Sequence, residues 1–285
     1  MFIFKSAKVI FFILLINFCL LPLLTYGREA DELEEKQYLQ FPVNFNGDKK
    51  ELLSKLDTII AIKPISKWSG EALLWKGWIY KGLGNYVEAE QIAMRVLNDY
   101  GKFKDPLGPV LFSPPRGWVS SETQKNTIKL IENYPITLEQ SAMILLAEIY
   151  IKSGKKDKAV HRLKLLIGDK EILKGIKSEL KTDEDFKSME FTQWPQQKAL
   201  MMLVGIYKKN GDYKIAAETA EEILKYGNYR DMDSAERVLI DCRIRLKEFE
   251  KAKYLIEKRL IKLEGKREKE EMEQKLKMVM EGLGN

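Results

Sequence analysis

Side-chain catalysis needs particular residue types close together, and this chain supplies few of them. It has one histidine, His161. Serine- and cysteine-based nucleophiles need a histidine beside them, and zinc sites need several ligands in a cluster. His161 sits at a helical position expected to face solvent, where an ordinary surface residue is the simpler reading. Cys242 lies among Leu239, Ile240 and Ile244, a setting in which cysteine acts as a small hydrophobe and not as a reactive thiol. The adjacent carboxylates Glu221-Glu222 and Glu270-Glu271 belong to charged helix faces. No Gly-rich phosphate loop, cofactor fingerprint or metal-ligand spacing is present, so no catalytic, cofactor or metal residue is assigned and the chain does not read as an enzyme.

Charge gives a similarly mild signal. The formal net charge is +6, from 48 basic and 42 acidic residues. Two of the lysines fall in the N-terminal segment, which leaves 46 basic against 42 acidic residues, or +4, in the rest. That balance is too small and too interleaved for a nucleic-acid partner.

Residues 1–27 read as a signal peptide. Lys5 and Lys8 form a basic start, residues 9–24 an apolar run, and Thr25 and Gly27 the small residues before a cut after Gly27. The run of 16 residues contains Asn17 and Pro22 and is short of the ~20 that a membrane span needs. An uncleaved membrane anchor is the alternative. Lipid attachment at Cys19 is disfavoured by its bulky neighbours Phe18 and Leu20. Cleavage would leave Cys242 alone, so packing and not a disulfide must hold the fold.

Residues 28–47 lack a helical apolar stripe, carry Pro42 and Gly47, and read as a linker. From Asp48 onward the pattern is amphipathic helices of about 12 to 15 residues separated by short turns. Aligning the turns reveals a repeat. One unit runs Leu73, Gly77, Tyr80, Gly84, Ala89, Ala93, and a second Leu146, Ala147, Tyr150, Gly154, Ala159, Leu163. A third runs Leu203, Tyr207, Gly211, Ala216, Ala220, and a weaker fourth Leu239, Ile240, Phe249, Ala252, Ile256. The small residues allow two antiparallel helices to approach, the tyrosines fill the space beside them, and each turn glycine permits a positive φ. The fourth unit departs from the pattern, with Arg243 at the tyrosine position and Lys247 at the turn glycine.

This repeat resembles the tetratricopeptide repeat, whose unit is about 34 residues. The resemblance implies an all-α fold, an α-solenoid of helix hairpins over residues 48–262. Two loop insertions interrupt it. One is the Pro-rich segment 105–118, expected to pack into the slot of a missing first helix ahead of a second helix over 121–134, and the other lies within 171–195. Residues 263–285, with Met272, Leu276, Val279 and Leu283 as a sparse stripe, read as a charged C-terminal capping helix. The phrase Tyr134-Pro135, Ser141-Ala142, Leu146-Ala147 and Gly154 is similar to repeats of bacterial periplasmic scaffolds of the outer-membrane assembly lipoprotein and Tol-Pal coordinator type.

The resemblance also implies a concave groove lined by the first helix of each unit. Its positions carry over to Glu71, Leu74, Trp78, Lys81; Ser141, Ile144, Glu148, Lys152; Lys198, Met201, Lys208, Lys209; and Arg237, Asp241, Arg245. Trp78 and Met201 would anchor apolar groups, and Lys81, Lys152, Lys208, Lys209 and Arg245 would favour an acidic peptide. The expected function is that of an exported scaffold in the bacterial cell envelope, periplasmic or secreted, binding another envelope protein or peptide. One alternative is a membrane-tethered assembly platform. The other is a peptidoglycan- or polysaccharide-binding or hydrolysing subunit built around Trp118, Trp194 and carboxylates of the insertions.

Overall fold

The computed structural model describes residues 32–33, 36–37, 48–104, 135–168, 173–175, 194–226 and 229–284. The leader, the Pro-rich segment 105–118, the helix expected over 121–134, and nearly all of the linker and of the insertion 171–195 lie outside them. Helices make up the regular structure of the described residues, with no strand among them. The chain divides into two compact units, Met1–Pro106 and Leu107–Asn285, each a run of antiparallel helices packed on their sequence neighbours. The fold class is the all-α solenoid of helix hairpins expected from sequence.

The first unit holds α1 (Lys49–Ile62), α2 (Lys67–Gly82) and α3 (Tyr86–Arg95), the last continuing through a π-helical turn, Val96–Tyr100. Helix starts are set by polar caps. Asp48 accepts from the Lys50 N–H at 2.9 Å, and the Ser66 hydroxyl from the Ser69 N–H at 3.0 Å, each satisfying a donor with no partner inside its helix. Helix α1 buries Leu52, Leu56 and Ile59 and is tied to α2 by the Lys76–Asp57 ion pair. The Tyr100 hydroxyl donates to the Pro64 carbonyl, pinning the π-turn to the α1–α2 connection.

The second unit holds α4 (Leu138–Lys152), α5 (Lys156–Ile167), α6 (Pro195–Asn210), α7 (Tyr213–Tyr226), α8 (Tyr229–Arg245), α9 (Phe249–Lys262) and α10 (Lys266–Leu283). Helices α4/α5, α6/α7 and α8/α9 are hairpins. First helices also touch across hairpins, α4 with α6 and α6 with α8, which is the stacking of a solenoid. Helix α4 begins with a reciprocal cap, Thr137 and Gln140 exchanging bonds of 3.3 and 3.1 Å. Helix α6 begins at Pro195, where a missing N–H costs nothing.

The four turns share one geometry. The backbone N–H after the turn residue donates to the carbonyl four residues before it: Asn85 to Tyr80, Lys155 to Tyr150, Asp212 to Tyr207 and Glu248 to Arg243, at 2.9, 2.8, 3.0 and 2.9 Å. This closure needs a left-handed residue. Gly84, Gly154 and Gly211 supply it at φ of 81°, 78° and 83°, and Lys247 at 59°. Four residues after each closing N–H come Ala89, Ala159, Ala216 and Ala252, all 0% exposed, the close-contact points of the hairpins.

Candidate concave surface

First helices offer their exposed faces at the registers set by the turns. Counted back from the turn residue, Lys81 and Lys208 stand three positions before it, and Lys152, Lys209 and Arg245 two. One residue is about 100° around a helix, so the groove side chains form two rows and not one. Trp78 and Lys81 belong to the first unit, where the Lys81 ammonium lies 4.0 Å from the centroid of the half-buried Trp78 ring. The other site residues belong to the second.

Three of the expected groove positions are not surface at all. Glu71, Leu74 and Ile144 are 0%, 1% and 4% exposed. The sequence around them explains it. Residues 72–75 and 143–147 are apolar at every consecutive position, so no face of the helix is left for solvent there.

In the second unit most groove charges are spent on one another. Lys198 reaches Glu148 at 2.8 Å, joining α6 to α4. Lys208 reaches Asp241 at 2.7 Å, joining α6 to α8. From α10, Lys275 reaches the other oxygen of Asp241 at 2.9 Å, and Glu268 accepts from Arg237 at 2.6 Å. Burial alone would raise the Asp241 pKa, but hydrogen bonds from Lys208 and Lys275 outweigh it and hold the carboxyl below its ordinary value. Burial likewise works against the Lys275 ammonium, yet its bonds to Glu271 and Asp241 hold its pKa above the usual lysine value. Helix α10 thus occupies the place of a further first helix, and its stripe closes on α8 and α9: Met272 and Val279 are buried with Ile240, Ala252 and Ile256, and Leu276 and Leu283 pack against them.

What remains uncommitted is one row. Lys152, Lys209 and Arg245 are exposed and form no ion pair among the described residues. They occupy the same register on α4, α6 and α8. Met201 is half-buried on α6. At the C-terminal end of the row a cleft of about 680 Å³ opens between α6, α8 and α10, with Lys208, Arg245, Lys247 and Lys275 around Asp241. Ile244, Phe249 and Met278 make its apolar wall. Sequence reasoning assigned Lys208, Asp241 and Arg245 to a groove but missed Lys247, Phe249, Lys275 and Met278. The signal available was Lys275 and Met278 one turn apart on the face of α10 that the apolar stripe leaves free.

The chemistry-bearing residues fall elsewhere. His161 is exposed. Cys242 is 0% exposed, and burial pushes its thiol pKa up, the opposite of what a nucleophile needs. Trp194 is 2% exposed, its backbone N–H donating to the Gln197 side-chain oxygen at 3.1 Å. A ring so enclosed is part of the core and is not available to stack on a sugar, and Trp118 lies outside the described residues. No group of three or more metal-binding side chains occurs among the described residues.

Residues 71–102 match the family model of the tetratricopeptide repeat. The span runs from within α2 through α3 and the π-turn, so the matched stretch is one hairpin with its turn at Gly84. That hairpin is thus similar to a tetratricopeptide repeat, and the three hairpins of the second unit share its turn geometry and its buried alanines. No curated protein matches the chain. Repeats of this kind serve as protein-interaction scaffolds, presenting the faces of stacked first helices to other proteins.

Proposed function

We propose that the protein is an exported scaffold that holds an acidic segment of another cell-envelope protein against the first helices of its second unit. The observation that carries this reading is the row Lys152, Lys209 and Arg245, three exposed cations at one register on neighbouring helices. Other cations of α6 are neutralised, Lys198 by Glu148 and Lys208 by Asp241. The three that are left have no structural duty among the described residues. A row of like charges repels itself in the free protein, and an acidic partner relieves that repulsion and is steered towards it. Export rests on the leader-like residues 1–27, and the likeness to periplasmic scaffolds on the repeat phrase around Tyr150 and Gly154.

Site-specific photo-crosslinking in intact cells tests the reading. A benzophenone side chain at Lys209 or Lys152 is expected to capture a discrete partner, and one at Ile215 or Leu165, exposed on second helices, is not. Equal capture from both sets of positions overturns the concave-face assignment. N-terminal sequencing of the mature chain tests export, with a start at Arg28 expected and an intact Met1 contrary to it.

A further inference from the structure

Among the described residues, Lys247 is the only non-glycine residue with a positive φ, 59°. The equivalent turn position is glycine in the other three hairpins. A side chain there strains the backbone, and strain of this kind persists where something else requires the residue. What surrounds Lys247 supplies a reason. Its side chain lines the cleft between α6, α8 and α10, beside Arg245. The cleft gathers four cations around a single carboxylate, Asp241. Two of them, Lys208 and Lys275, are bonded to that carboxylate. Arg245 and Lys247 are exposed and make no ion pair among the described residues. Ile244, Phe249 and Met278 form an apolar wall beside them, and Met278 is 55% exposed.

We propose that this cleft is a docking pocket for an acidic peptide segment of the partner protein. One large apolar side chain of the peptide lies against Ile244, Phe249 and Met278, and flanking carboxylates pair with Arg245 and Lys247. The inference rests on the concave-face reading and places the partner's anchor at the C-terminal end of the row. It also makes α10 part of the binding surface as well as a cap.

The chemistry selects a peptide over a compact polyanion. Lys208 and Arg245 stand in the last turns of α6 and α8, where the helix dipole is negative and backbone N–H groups are already used. Phosphate groups are favoured at the opposite end of a helix. Asp241 sits among the cations and further opposes a dense negative charge. Single carboxylates spaced along a peptide meet Arg245 and Lys247 without approaching it. A volume of about 680 Å³ suits a leucine or phenylalanine side chain with its neighbours.

The test uses the purified full chain and a fluorescein-labelled peptide, Asp-Glu-Leu-Phe-Asp-Glu, followed by anisotropy at low salt. Saturable binding is expected, weakened about tenfold by the double change Arg245→Glu and Lys247→Glu. A probe with serines in place of Leu-Phe should bind about tenfold more weakly. The single change Lys247→Gly separates function from folding. It removes both charge and strain, so the melting temperature should rise while the peptide binds less tightly. Absence of peptide binding, or equal binding by the wild type and the double variant, overturns the proposal. So does displacement by inorganic phosphate as effective as displacement by unlabelled peptide, because that identifies a general anion site. Crosslinks from Lys209 that persist in the double variant would leave the concave-face reading intact and dismiss only the pocket. Equal capture from Lys209 and Ile215 in the wild type would dismiss both.

Discussion

Arg259 meets Glu236 at 2.8 Å at a level of the hairpin where the other units carry apolar side chains. Counting from the turn, Arg259 occupies the position of Val96, Leu166 and Ile223, and Glu236 that of Leu73, Met143 and Leu200. Arg259 is as buried as they are, at 3% exposed, and its second nitrogen reaches Asp233 at 2.7 Å. Two positions that are apolar in the other hairpins thus hold an ion pair in the last one. Asp233 also accepts from Arg237, which holds Glu268 of α10, so the exchange continues into the attachment of the terminal helix.

Breaking a buried pair leaves a charge without a counter-ion, whereas replacing both partners removes the problem. Arg259→Ile, which strands the largely buried Glu236, is expected to lose about 3 kcal/mol in urea unfolding, and Glu236→Leu less, because Arg259 keeps Asp233. The double variant, which restores apolar residues at both positions, should recover most of that loss. Simple addition of the two single losses would show that the residues do not act as a pair.

Gly282 on α10 lies so close to Phe249 that a methyl group at its α carbon would stand 2.6 Å from the ring. An alanine in an exposed helix ordinarily gains about 0.5–1 kcal/mol over glycine. Gly205 on α6 meets nothing within 4 Å and should show that gain. Gly282→Ala should show the reverse, a loss of about 1–3 kcal/mol from overpacking, with faster hydrogen exchange along α10. Combining it with Phe249→Leu should shrink the loss.

The fold was readable because its determinants are local and repeated. Gly84, Gly154 and Gly211 mark three turns outright, and Ala89, Ala159 and Ala216 mark the close contacts a few residues later. Lys247 showed as a departure, but a string of residues cannot say that the departure opens onto a cleft. The pairing of Arg259 with Glu236 was invisible for a different reason: its partners are 23 residues apart, and in a charged helix each reads as a solvated surface residue. The candidate surface was half legible for the same reason. Periodicity identifies which side chains a first helix offers, but whether Lys198 or Lys208 is free depends on Glu148 and Asp241 of neighbouring helices.

Ala216 is 0% exposed at the α6–α7 contact. Replacing it by leucine adds volume where none is free and should cost about 1–3 kcal/mol. Thermal unfolding measures it, and an unchanged midpoint would mean the repeat register is wrong.

Asp241 predicts a pH dependence. Its carboxyl titrates below its ordinary value of 3.8 in the folded chain. A depressed folded pKa adds stability that is present above the unfolded pKa and lost as pH falls through the folded one. Asp241→Asn should therefore be less stable than the wild type near neutrality. The two should converge as the pH drops below about 4, because a protonated Asp241 resembles the amide. A constant difference down to low pH would show that Lys208 and Lys275 do not depend on the charge.

Charge reversal at the neighbours Lys208 and Lys209 should separate support from recognition. Lys208 is bonded to Asp241 at 2.7 Å, so Lys208→Glu places a second carboxylate beside the first and costs stability as well as binding. Lys209 is exposed and forms no ion pair among the described residues, so Lys209→Glu should leave the unfolding free energy within about 0.5 kcal/mol of the wild type. If an acidic segment lies along the row, Lys209→Glu should weaken binding of the acidic peptide and flatten its salt dependence, because one fewer attraction is left for salt to screen. Parallel anisotropy titrations and thermal melts on the two variants give the answer. Unchanged affinity in Lys209→Glu would exclude this row from the binding surface, and equal melting temperatures for the two variants would mean that Lys208 does not hold α6 to α8.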